Sequence, residues 1–106
     1  MLVRPEGECD VSRASQWEPA INIANGKLRL DLARFSAQVE RDGFHWLGIE
    51  SAHVLAVAKL PRFDDHQDPF DRMLVAQSLA EPPILLTAHR QLDRYGPMVR
   101  VVTRVV

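Results

Sequence analysis

The clearest alternation of apolar and polar positions lies between His66 and Thr87. Phe70, Met73, Leu74, Val75 and Leu79 put apolar groups on more than one helical face, which predicts a helix buried on most sides. Asp68 suits the N-cap, and Pro69 suits the first helical position, where a missing N–H costs nothing. Asp71 then falls in the first turn, so two carboxylates stand at the positive end of the helix dipole. Glu81-Pro82-Pro83 breaks the pattern, and Ile84-Leu85-Leu86-Thr87 reads as a short buried strand. Helix, short loop and buried strand make half of a parallel α/β unit.

The remaining pattern fills in around this unit. Residues 1–8 carry Pro5 and Gly7 and read as a lead-in, and residues 9–12 read as a short strand. Trp17, Ala20, Ile21 and Ala24 recur at helical spacing and Asn25-Gly26 ends the run. Ser12 or Ser15 caps this helix, Ser15-x-x-Glu18 has the form of a capping box, and Pro19 favours a start near Ser15 or else a distorted first turn. Asp31 should cap a second helix through Leu32, Phe35 and Val39, stopped by Gly43. Residues 44–49 form a candidate strand, and Ser51 should cap a third helix that stops at Leu60-Pro61. Residues 88–94 suggest a helical turn closed by Gly96-Pro97, and residues 99–106 an edge strand with one wet face. The order predicts one α/β domain over residues 1–106, a three-layer α/β/α sandwich around a mostly parallel sheet.

Composition changes this picture little. A chain of 106 residues with net charge −1 has one modest core and no field that announces a nucleic-acid binder. Residues 82–106 hold Arg90, Arg94, Arg100 and Arg104 against Asp93, a local basic excess. Arginine suits phosphate recognition, but genomic base composition produces the same bias. Cys9 is alone, which excludes an internal disulfide and fits a reducing cytoplasm. There is no apolar segment of signal-peptide or membrane-spanning length, so the expectation is a soluble cytoplasmic protein without a membrane partner.

The stretch His66-x-Asp68-Pro69-Phe70-Asp71-Arg72-x-Leu74-x-Ala76-Gln77, followed by Leu85-Leu86-Thr87 and a turn ending in Tyr95-Gly96, resembles the C-terminal half of PIN-domain proteins. The branch it resembles is that of the VapC-type toxin ribonucleases of bacterial toxin–antitoxin pairs. Val11-Ser12-x-Ala14-Ser15-x-Trp17-Glu18, then Gly26-Lys27-Leu28, is similar to an earlier segment of the same branch. His53, Leu60-Pro61 and His66 fall in matching order, so the resemblance runs from about Val11 to Val102.

The resemblance implies metal-dependent RNA cleavage, with Mg²⁺ or Mn²⁺ held by carboxylates from separate segments. Carried over residue by residue, Glu18 and Asp71 become metal ligands and catalytic residues, their carboxylates close together and facing one cleft. Asp68 becomes a catalytic helper, and nearby arginines phosphate contacts. Two departures stand out. His89 occupies a position where the family has a further acid, and the family's opening strand, ending in aspartate and lying mid-sheet, has no counterpart. The chain thus reads as an N-terminally truncated PIN-like domain.

Plainer roles stand beside these. Glu18 completes a capping box, Asp68 is an N-cap, Asp71 answers the helix dipole, and His53 and His66 are structural or solvent-facing. Two functions from different classes follow. One is an endoribonuclease acting on an RNA substrate and paired with a protein antitoxin. The other is a catalytically impaired remnant serving self-association or antitoxin binding. Loss of a middle strand predicts a homodimer with weak or absent cleavage, since an open strand edge invites a partner strand.

Overall fold

The computed structural model describes residues 1–65, 68–80, 84–87 and 94–101. Its elements are β1 (Leu2–Val3), β2 (Cys9–Ser12), α1 (Ala14–Ala24), α2 (Leu32–Arg41), β3 (His45–Leu47), α3 (Ser51–Lys59), α4 (Pro69–Ala80), β4 (Ile84–Thr87) and β5 (Val99–Val101). The strands form one sheet in the order β3-β2-β1-β4-β5.

The opening residues are not a lead-in. Arg4 N–H donates to Glu8 O at 2.8 Å and Gly7 N–H to Arg4 O at 2.9 Å, closing a tight turn. Gly7 supplies the positive φ of +93° that the turn requires. A connection this short can return only an antiparallel strand. Leu2 therefore pairs with Asp10 and Val3 with Cys9, and on its other side β1 runs antiparallel to β4. At the edges β2 pairs parallel with β3, and β4 parallel with β5.

This corrects the expected architecture. The chain is a small α/β unit, but its sheet is mixed, with antiparallel pairings at the centre and strands of two to four residues. That is too little strand for a PIN-like three-layer sandwich on a mostly parallel sheet, where strands commonly run about five to six residues.

The core gathers Leu2, Leu60, Val75, Ala76, Tyr95 and Val99, with Leu47, Val57, Phe63 and Leu74 packed against it. Helix α4 is its spine. Val75, Ala76, Gln77 and Ser78 are all buried, so this part of the helix is covered all round. Its end is not: Leu79 is 50% exposed, against the expectation that it helps bury the helix.

Capping fixed where the helices begin. Asp31 Oδ1 accepts from Arg34 N–H at 3.0 Å, as expected for α2. In α1 the Ser15–Glu18 box does not form. The helix starts earlier, with Arg13 at the cap position and Ser12 Oγ accepting from Ala14 N–H at 3.0 Å. Pro19 lies inside the helix, which continues through it to Ala24. In α3 Ser51 is already helical; Glu50 is the N-cap and forms a reciprocal box with His53, whose Nδ1 accepts from Glu50 N–H at 3.0 Å. His53 is fully buried, a structural histidine held as the tautomer with an unprotonated Nδ1. No helix among the described residues is long and apolar enough to cross a membrane.

Candidate functional site

Helices α1 and α4 meet where Trp17 and Phe70 touch edge to face, their centroids 5.0 Å apart at 76°. Such pairs favour this geometry because the electron-rich face of one ring accepts the positive edge of the other. Glu18 follows Trp17 and Asp71 follows Phe70 in the chain, and both are half-buried. The seam therefore brings together the two segments that carry the expected metal ligands.

The plainer explanation of Glu18 is removed by the structure. Glu18 is the fifth residue of α1, beyond the position from which it could close a capping box. Asp68 is exposed, and its Oδ1 accepts from Phe70 N–H at 2.9 Å and from Asp71 N–H at 3.1 Å. It is an N-cap, and by gripping the amide of Asp71 it fixes the backbone from which that carboxylate projects.

Among the described residues no three His, Cys, Asp or Glu side chains gather closely enough to hold one metal ion. His66 and His89 lie outside the described residues. Hard-oxygen ligation by one or two carboxylates together with water and phosphate is ordinary for Mg²⁺.

Beside the seam lies a feature that sequence reasoning missed. An apolar groove of about 340 Å³ opens between α1, α3 and α4, floored by Ala14 and walled by Trp17, Ile49, Val54 and Phe70. Trp17 is 57% exposed and Val54 53%, although spacing alone would bury both. One end is closed by Arg72, whose NH1 donates to Pro61 O at 2.9 Å and Tyr95 Oη at 3.2 Å. Its NH2 reaches Val57 O at 3.4 Å, so this arginine ties α4 to the carboxyl end of α3, where the helix dipole welcomes a cation. The groove's trace in the sequence is Val54 and Val57, one turn apart on α3.

Compared with protein-family models, curated proteins and solved structures, the chain matches none.

Proposed function

We propose that the chain is a toxin-type endoribonuclease related to the VapC branch, cleaving RNA with Mg²⁺ or Mn²⁺ held by Glu18 and Asp71. The observation that carries this is the α1–α4 seam. Two motif segments far apart in sequence pack through Trp17 and Phe70, and each brings a carboxylate one residue beyond its ring. The reading rests on those helices and their motifs, not on the sheet. Glu18 and Asp71 supply hard oxygen donors, and Asp68, through its hold on the Asp71 amide, is a positioning residue. When bound, the cation would polarise the phosphodiester and acidify a water.

The test is cleavage of a structured RNA in Mg²⁺ or Mn²⁺ by the unaltered chain, Glu18→Gln and Asp71→Asn, with folding checked by circular dichroism. Metal-dependent cleavage lost in both folded variants is the expected result. Cleavage that persists in both would remove the reading.

A second reading is favoured by the groove. An exposed apolar trough of about 340 Å³ suits a helix of a protein partner laid in by its apolar face, as a protein antitoxin would supply. Under this reading the chain is a binding module whose two carboxylates are too few for efficient cleavage. A Val54→Glu variant that stays folded would then lose the partner while any RNA cleavage is retained.

A further inference from the structure

Two arginines of this chain are seated on aromatic rings at the same distance. Arg94 lies 4.5 Å over Phe63 and Arg13 lies 4.5 Å over Trp46. Their charges are treated differently. Arg94 is clamped by both oxygens of Asp65, at 2.6 and 3.1 Å. Arg13 pairs with no carboxylate among the described residues; its NH1 donates to the neutral Gln16 Oε1 at 2.9 Å. Gln16 is itself held, its Nε2 donating to Ser36 Oγ at 3.0 Å. Arg13 is thus exposed and, among the described residues, uncompensated, yet fixed in direction by a ring below and an amide at one side.

Its place in the fold gives the direction meaning. Arg13 follows the last residue of β2, and its backbone N–H donates to Leu47 O, at the end of β3, at 2.9 Å. It stands at the carboxyl ends of a parallel strand pair, the edge where α/β sheets form their ligand crevices. It also opens α1, the helix that carries Glu18.

We propose that Arg13, oriented by Trp46 and Gln16, holds a backbone phosphate of single-stranded RNA at the carboxyl edge of the β2–β3 pair. A planar guanidinium with NH1 occupied still offers its other N–H edge to two phosphate oxygens at once. Holding it ready removes ordering cost at binding. The assignment rests on the ribonuclease reading and names a substrate contact within it.

The test measures binding of a fluorescent single-stranded RNA by anisotropy between about 50 mM and about 200 mM salt, where phosphate contacts register as a slope. The full chain carrying Asp71→Asn prevents cleavage. To it are added Arg13→Gln, Arg13→Lys, Trp46→Leu or, as a charge-matched control, the exposed Arg62→Gln. Arg13→Gln should weaken binding about tenfold and flatten the salt slope by about 0.7, the loss of one phosphate contact on a single strand. Arg13→Lys should keep the slope while losing affinity, since it retains charge without the fork. Trp46→Leu should weaken binding and leave the slope unchanged. If Arg13→Gln behaves like Arg62→Gln while RNA is still bound, and Asp71-dependent cleavage persists in the otherwise unaltered chain, the Arg13 assignment alone is wrong. If the chain binds no RNA at all, the ribonuclease reading falls and the assignment with it.

Discussion

Asp10 puts a buried carboxylate into the sheet. It is 2% exposed, on β2, and its Oδ2 accepts from Arg4 Nε at 2.8 Å and NH2 at 2.7 Å. The pair ties the β1–β2 turn across its own width. Asp10→Ala removes the buried carboxylate that holds the Arg4 guanidinium, and should lower stability by about 2 kcal/mol, discounted because Arg4 keeps some contact with water. A urea midpoint shift at constant slope would measure it. The double change Arg4→Met with Asp10→Leu should recover most of the loss; a double variant as weak as the single one would show that the pair is not the cause. Gln77 presents the opposite case. It is fully buried, its Nε2 donates to Gly48 O at 3.2 Å, and its Oε1 has no hydrogen-bond partner among the described residues. A buried unpaired carbonyl costs about 1–3 kcal/mol, while the exposed Gly48 carbonyl can turn to water. Gln77→Met should therefore leave thermal stability unchanged or raise it, and a fall of several degrees in melting temperature would contradict this account. Neither residue was legible as a buried group in the sequence, because a polar letter does not reveal whether its partners exist.

At the scale of elements, the capping chemistry was legible where one good cap stood alone. Asp31 and Asp68 do what their position promised. Elsewhere tertiary pairing moved the cap. At α1 the candidates were Ser12 and Ser15, and Ser12 serves because β2 ends there; at α3 the expected cap Ser51 is helical, and Glu50, which the sequence reading did not single out, takes the position through its box with His53. Asp68→Ala should cost about 1 kcal/mol, the usual worth of a cap, read as a lowered melting temperature. Under the ribonuclease reading it should also reduce cleavage less than Asp71→Asn does, since it acts through the Asp71 amide. Pro19 is a local conflict that the packing of α1 overrides. It withholds the N–H that Ser15 O would accept in a regular helix, so Pro19→Ala should raise stability by about 1–3 kcal/mol. A destabilised variant would mean that the proline shapes the seam with α4.

At the scale of the whole molecule, the apolar surface left open by α3 is the feature with the largest consequence. Val54, which lines the groove, is 53% exposed, and its chain neighbour Leu55 is 63% exposed. Contiguous apolar surface of this kind marks association sites. Light scattering behind size exclusion should report a mass above that of the 12.0 kDa chain, and Leu55→Glu should return it to the monomer. A monomer across all concentrations would assign the surface to a different protein or to none.

The chain by itself determined where most strands and helices lie, because capping, proline placement and short apolar runs act within a few residues. Residues 9–12, 84–87 and 99–101 were legible as strands, and the α4 start was legible to the residue. Residues 88–93 and 102–106, read as a turn and a strand end, lie outside the described residues. Only the tertiary structure decided that Leu2–Val3 fills the middle of the sheet antiparallel, that Asp10 and Gln77 go inside, and that Trp17 and Val54 stay out. The reason is physical. A two-residue strand has no periodicity to read, and its place depends on pairing with β4, some eighty residues away in the chain. Burial likewise depends on which faces remain after distant elements have paired, a quantity that no local pattern carries.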